Sequence, residues 1–295
     1  MNATAPGSPL RLAVLALSFN AFTWGVSWWP LRQLEARGLH ALWATVLIYA
    51  LALVLITLWR RAAWGQLLRT PSLWWLVLAA GITNASFNWA VTIGDVVRVV
   101  LLFYLMPLWA VLLARPLLGE VLTPRALLRV ALALSGAAVV LWPDDGAARM
   151  LPLPQTLAEW LGVLGGLAFA LNNVMLRREA RQPEAARALA MFLGGALVPA
   201  ALALALGVAG QIPWPSAPAP WAAGVALLAV WFLVGNLALQ YGAARVPAHV
   251  TAVVMVSEVL FAAGSAVLLG ASVVSAQLAL GAALIVGAAL LATRD

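Results

Sequence analysis

Apolar residues run through this chain in blocks of about twenty, and polar residues gather in the breaks between them. Wound as an α-helix, a block of that length crosses a hydrocarbon core of about 30 Å. Ten blocks are legible, at residues 11–32, 41–59, 72–93, 96–114, 124–142, 156–176, 186–208, 221–241, 248–269 and 273–293. The breaks carry helix punctuation. Thr123-Pro124 reads as an N-cap followed by proline at the first helical position, where its missing N–H costs nothing. The longest polar break, WPDDGAARMLPLPQT at 142–156, divides the blocks five and five, and GQIPWPSAPAP at 210–220 reads as a proline-rich hairpin loop without charge. The expected fold is an all-α integral membrane protein of ten transmembrane helices. Residues 1–143 and 156–295 form its two five-helix units, and 144–155 is the connecting loop.

Composition strengthens this reading. The 295 residues are 64% hydrophobic and 9% charged, against roughly 45–50% and about 25% in a soluble domain. So few charges cannot cover a water-facing surface. The 17 basic residues are all arginine and outnumber the 10 acidic ones, for a net charge of +7. Scattered singly between apolar blocks, they read as loop charge and not as a nucleic-acid surface. With the N-terminus cytoplasmic, 13 arginines fall on the inner side and 4 (Arg32, Arg37, Arg98 and Arg149) on the outer. The expected orientation therefore has both termini in the cytoplasm and the 144–155 loop in the periplasm of a bacterial inner membrane. Trp59 and Trp64 on one side, with Trp43, Trp142, Trp160, Trp214 and Trp221 on the other, fit aromatic belts at the two interfaces. The first block is too long for the apolar core of a cleaved signal peptide. The chain has no cysteine, which leaves neither disulfides nor thiol chemistry.

The two halves repeat. A shift of 151 residues places PLWAVLLARPLLGE (107–120) on EVLFAAGSAVLLGA (258–271), Gly119 on Gly270 and Gly136 on Gly287. Five spans is an odd number, so the second unit enters the membrane in the opposite sense. Inverted repeats of this kind mark secondary transporters, with substrate held near midplane between the halves.

The segment LLFYLMPLWAVLLARPLLGEVLTPRALLRVALALSGAAVV (101–140) resembles the drug/metabolite transporter superfamily in its ten-helix EamA form. The matching features are a proline in the fourth helix, an LGE ending thirteen residues later, and a fifth helix rich in small residues. Within that superfamily the chain looks like the YddG-type exporters of aromatic amino acids. The resemblance implies a central cavity lined by helices 1, 3, 4, 6, 8 and 9, helices 5 and 10 packed behind it, and export by alternating access without ATP. One departure stands out. Ala271 occupies the place that would match Glu120, and Glu258 stands where the first copy has Pro107. A coupling role for the second acidic position therefore does not carry over.

Several residues bear on chemistry. The fifth and tenth blocks, ALALSGAAVV (131–140) and ALGAALIVGAALLA (279–292), offer small residues for close helix packing. Elsewhere polar and aromatic side chains gather at mid-depth. These are Asn20 and Trp24, four apart on one face; Asn84 and Asn88, again four apart; Phe169 with Asn172 and Asn173; Trp231 with Asn236 and Gln240; and Tyr104 beside Pro107. An amide turned to lipid would leave its polar atoms unpaired at a cost of several kcal/mol. These groups therefore face protein, as interhelical contacts worth about 0.6–2 kcal/mol, or they face a wet cavity. As a set they fall on the helices that the resemblance makes cavity walls. Amides and rings together suit a zwitterionic or amphipathic solute. Every arginine lies near a helix end, which disfavours phosphorylated substrates.

Pro107 breaks the hydrogen-bond ladder of the fourth helix, as a hinge or as a static kink, and frees a carbonyl near Phe103. Asp95 and Arg98 are placed for an exposed pair at the outer start of that helix, either as a helix-dipole partner or as a gate. Glu120, amid Arg115, Arg125 and Arg129, reads as an inner-face ion pair. His40 is a loop residue and His249 opens the ninth helix, and neither has companions for a metal site or a catalytic base.

Glu258 sits within an apolar run from Ala248 to Leu269, where an acid costs about 2.5–3.5 kcal/mol on insertion scales. It either lines the cavity and takes an ammonium group or a proton, or serves as a strut held by Ser257 or a facing asparagine. The expected activity is secondary transport, exporting aromatic or other amphipathic amino acids. Export of other drugs or metabolites, an intramembrane enzyme and a passive channel are the alternatives. No cofactor, metal or nucleic acid is expected. The expected partners are a small-molecule substrate and membrane lipid, and a monomer suffices.

Overall fold

The computed structural model describes residues 8–119, 124–142, 153–215, 217–243, 245 and 248–291. Glu120, Thr123 and most of the 144–155 loop lie outside the described residues, as do the side chains of Pro107, Gln240 and His249. Regular structure in the described residues is helical throughout: α1 (Ser8–Gly25), α2 (Trp28–Ala36), α3 (Ala41–Trp59), α4 (Ala62–Arg69), α5 (Leu73–Ile93), α6 (Val96–Phe103), α7 (Met106–Leu118), α8 (Pro124–Val140), α9 (Leu157–Arg178), α10 (Glu184–Val208), α11 (Ala222–Ala243), α12 (Ala248–Leu268) and α13 (Ala276–Leu291). Among the described residues, seven stretches are long and apolar enough to cross a membrane: Arg11–Ala36, Ala41–Trp59, Leu73–Ile93, Val96–Leu113, Leu157–Arg178, Glu184–Val208 and Ala222–Leu239. Three shorter apolar helices, Val130–Val140, Val254–Leu268 and Ala276–Ala288, occupy the remaining blocks. Leu58, Trp75, Leu204, Leu227 and Leu280 are exposed on the outside of the bundle, which is tolerable only against lipid. The chain is a multi-pass membrane protein.

Two blocks are broken helices. The first bends after Gly25, and α2 restarts at Trp28. The fourth is interrupted at Tyr104 and Leu105, with i→i−3 bonds from Leu105 N–H to Leu102 O at 3.2 Å and from Leu108 N–H to Leu105 O at 2.9 Å. A break one turn before Pro107 follows from its missing N–H, which would otherwise bond the Phe103 carbonyl. That carbonyl is met by Gly166, where any Cβ would collide with it. The glycines of α9 thus form the track against which the broken helix lies. The short α4 was not among the expected blocks; its Arg69 and Trp64, with Arg61 just before it, fit an interfacial helix.

Packing sorts the helices into groups. α5 lies against both α9 and α10, α10 against α3, α1 between α11 and α12, and α9 against α6 and α7. α8 and α13 pair with each other. A Cβ at Gly136 would come within 2.7 Å of Ile285 and 2.9 Å of the Gly281 carbonyl, so the two backbones approach closely. Gln277 ties the pair by donating to the carbonyls of Val139 at 2.9 Å and Trp142 at 2.8 Å. This leaves a hollow among the other long helices.

Candidate functional site

The hollow is built at mid-depth, where the amide-bearing helices meet. From α1, Asn20 donates through Nδ2 to the Gly235 carbonyl of α11 at 2.8 Å, and Trp24 stacks on Phe232 with ring centres 4.8 Å apart. From α5, the Asn84 Nδ2 donates to the Ala80 carbonyl at 2.8 Å, and its Oδ1 accepts from the Tyr49 hydroxyl of α3. From α11, the Asn236 Nδ2 donates to Phe232 O at 2.9 Å. Phe87, Phe103 and Phe169 form an aromatic wall, with ring centres 4.8 and 5.3 Å from that of Phe103. Glu258 of α12 closes the ring. Its Oε2 lies 3.1 Å from the Tyr104 hydroxyl, which also reaches the Met255 carbonyl at 3.0 Å.

Hydrogen counting constrains this last contact. A tyrosine hydroxyl carries one hydrogen. If it goes to the Met255 carbonyl, the Glu258 contact is a hydrogen bond only when the carboxyl brings its own proton. If Glu258 is ionised, the two acceptors compete for one donor. The buried side-chain oxygens of Asn20 and Asn172 have no hydrogen-bond partner, and unpaired buried acceptors of this kind are exceptions in native structures. The site as a whole sets amides and one carboxyl among rings.

The cavity measures about 120 Å³, below the roughly 300–1,000 Å³ of pockets for drug-sized ligands. Its lining extends to Leu176, Met191 and Leu239, toward the arginine-rich ends of α9, α10 and α11. The opposite ends are tied together. Arg32 donates to the carbonyls of Val91 at 3.0 Å and Gly94, which clamps the end of α5. Arg98 Nε lies 2.6 Å from Glu159 Oε1, an ion pair and not a well-aligned hydrogen bond, which joins the start of α6 to the start of α9. The expected Asp95–Arg98 side-chain pair is replaced by this one. Asp95 instead caps α6, its Oδ1 accepting from the Arg98 backbone N–H at 2.8 Å.

The structure gathers most of the expected residues. Asn20, Trp24, Asn84, Phe169, Asn172, Asn173, Asn236 and Glu258 line the cavity. Tyr104 lies behind Glu258, fully enclosed. Asn88 does not reach the hollow; its Nδ2 donates to Thr45 Oγ1 at 3.1 Å, an interhelical contact. Trp231 also lies elsewhere, packed edge-on against Phe19 and Phe22. Sequence reasoning missed Tyr49, Met191 and Phe192, from α3 and α10, helices that the resemblance did not count as walls. A tyrosine at the centre of an apolar block was the available signal for the first. His40 accepts from the Leu42 N–H at 3.2 Å, and so caps α3.

Comparisons with known proteins agree with this picture. Residues 11–142, from α1 to just beyond α8, match the EamA-like transporter family. The chain is 32% identical over 122 residues to the chloramphenicol-sensitive protein RarD of Pseudomonas aeruginosa, a match that covers 38% of this chain and 40% of that protein's length. A protein of known crystal structure shares the fold over 96% of either chain, with a TM-score of 0.59 and 20% identity. The chain is thus a multi-pass membrane protein whose first 11–142 residues are similar to the EamA-like transporter family.

Proposed function

We propose that the chain is a secondary carrier for amine-bearing amphipathic solutes, aromatic amino acids foremost, working by alternating access without ATP. One observation carries this reading: Glu258 and the amides of Asn20, Asn84, Asn172, Asn173 and Asn236 line one mid-depth cavity together with an aromatic wall. An ammonium group finds acceptors there and a ring finds rings. The match to a transporter family points the same way and away from an enzyme.

The reading includes ten spans in two inverted five-helix units, 1–143 and 156–295. Three observations support it. Gly119 and Gly270, 151 residues apart, end α7 and α12 with φ of 72° and 67°, a left-handed conformation that favours glycine. The Tyr104 hydroxyl bonds the carbonyl of Met255, its counterpart at the same shift. Packing is also reciprocal, α5 on α9 answering α11 on α1, and α12 on α1 answering α6 and α7 on α9. The arginine distribution supports cytoplasmic termini in a bacterial inner membrane. With the cavity lining reaching the arginine-rich ends and the far ends clamped, this conformation corresponds to one open toward the cytoplasm and closed outward. The Arg98–Glu159 pair and the break before Pro107 are the parts that would rearrange on opening.

The test is uptake into proteoliposomes of tryptophan, phenylalanine, threonine and serine, with and without a pH gradient. Saturable uptake favouring the two aromatic substrates is expected. Saturable uptake with no preference for rings would overturn the substrate class, and flux that never saturates would overturn the carrier.

A further inference from the structure

A second recess opens beside the central cavity, between the C-terminal halves of α3 and α11 and the N-terminal half of α10, with a volume of about 600 Å³. Leu55, Trp59 and Leu237 on its walls are exposed on the lipid-facing surface. Phe192 and Asn236 line both the recess and the central cavity, so these two side chains stand where the two adjoin. Two charged groups stand at its outer rim. The Arg60 guanidinium lies over the Trp59 ring, 4.7 Å from its centre, and Glu184 begins α10. Tryptophan and arginine together mark the headgroup level of a membrane. The recess thus starts at the interface of the arginine-rich leaflet and runs inward along apolar walls to an amide at the edge of the substrate site. From Glu184 to Phe192 is eight residues of helix, about 12 Å, a length comparable to a medium alkyl chain.

We infer that this cleft is an entrance through which amine-bearing amphiphiles dissolved in the arginine-rich leaflet reach the central cavity. The inference rests on the carrier reading and adds a second route to its site. The chemistry of the path selects the occupant. A carboxylate stands at each end, Glu184 at the rim and Glu258 at the centre, with the Asn236 amide between them. Among the described residues no arginine lines the central cavity. A cationic head therefore meets acceptors at the rim, at the inner end of the recess and in the cavity, whereas a phosphate meets a cation only at the rim, at Arg60. The apolar body of the solute stays against Leu55, Leu233 and Leu237 as it moves, never crossing water. On this reading, water-soluble substrates reach the cavity from the side of Leu176 and Leu239, which line it away from the recess.

The experiment compares tryptophan with tryptophan octyl ester, which keeps the ammonium and the indole and adds a membrane-dissolving tail. Ala188→Trp fills the cleft from α10, and Leu237→Trp fills it from α11. Leu204→Trp, on the lipid face of α10, is the control. Each protein is reconstituted and its uptake of both solutes measured. Separately, a photoreactive alkyl amine is crosslinked to wild type and the labelled peptides are mapped. At least a tenfold loss of ester uptake in either filled variant, with tryptophan uptake within twofold of wild type and the control unchanged, is expected, together with labelling in 184–192 that the ester competes away. Should one filled variant fail to fold, the other and the labelling still decide.

Unchanged ester uptake in both filled variants, or equal loss of both solutes, would overturn the entrance. So would labelling that the ester does not displace, the mark of a resident phospholipid. If wild type transports neither solute saturably while competed labelling persists, the carrier reading fails and the cleft survives as an amine-binding site.

Discussion

The Tyr104 hydroxyl bridges Glu258 Oε2 at 3.1 Å and the Met255 carbonyl at 3.0 Å, linking the break between α6 and α7 to the carboxyl of α12. Because one hydrogen serves two acceptors, the bridge is sensitive to whether Glu258 carries a proton. Tyr49 is the other titratable group in the described lining, and its hydroxyl is engaged with Asn84. Glu258→Gln keeps a donor toward Tyr104 and removes the titration. The variant is expected to fold and to transport with a rate that no longer varies between pH 5 and 8, where wild type varies. Initial-rate uptake across that range checks it, and identical profiles would reduce Glu258 to a strut. Tyr104→Phe strands buried acceptors and is expected to lower stability by about 1–3 kcal/mol, read as a fall in the unfolding temperature in detergent.

Glycines divide sharply by what surrounds them. A Cβ at Gly194 would run into the Val77 carbonyl of α5, whereas at Gly287 it would meet nothing within 4 Å. Gly194→Ala is expected to cost about 1–3 kcal/mol or more, because backbone must move. Gly287→Ala should be neutral or stabilising by up to about 1 kcal/mol through helix propensity. Thermal unfolding of the two variants side by side checks this.

Glu159 has two roles that substitution can separate. Its Oε2 accepts from the Gln155 and Thr156 backbone N–H groups at 2.6 and 3.2 Å, forming the capping box of α9, while Oε1 pairs with Arg98. Glu159→Gln keeps the cap and should lose at most about 1 kcal/mol, the scale of a partly exposed ion pair. Glu159→Ala removes both and should lose about 1–2 kcal/mol more. Equal losses would mean that the cap contributes nothing.

His40 caps α3 only while its Nδ1 is unprotonated, and burial holds its pKa below the ordinary value. Such a group stabilises fully above the unfolded value of about 6.5 and loses that contribution as pH falls toward the folded value. His40→Asn keeps a capping acceptor without the titration. The difference in unfolding temperature between wild type and this variant should therefore widen below about pH 6.5.

The sequence located depth better than direction. Most block limits lie within a few residues of the helices, because lipid requires long apolar runs and leaves polar residues for the ends. Spacing by four placed Asn20 and Trp24 together correctly. The same spacing misled at Asn84 and Asn88. One turn nearer the clamped end of α5 the helices pack shut, and Asn88 bonds Thr45 in place of facing a hollow. Trp231 failed for a related reason: its neighbour Phe232 points inward against Trp24, which turns Trp231 toward Phe19 and Phe22. Tyr49 and Phe192 escaped notice because walls were assigned by helix and not by depth. The Arg98–Glu159 pair joins residues 61 apart, with no local pattern to announce it.

The chain's lack of cysteine makes the most direct test simple. Asn173→Cys places a single thiol in the cavity lining, to be reacted with a small membrane-impermeant thiol reagent in proteoliposomes. The thiol should be labelled from one side of the membrane, and tryptophan should slow labelling in a saturable manner while leaving an Arg181→Cys control, in the exposed loop between α9 and α10, unaffected. A cavity thiol that the reagent never reaches, or one that reacts at the same rate whatever the tryptophan concentration, would contradict a water-accessible, solute-filled hollow.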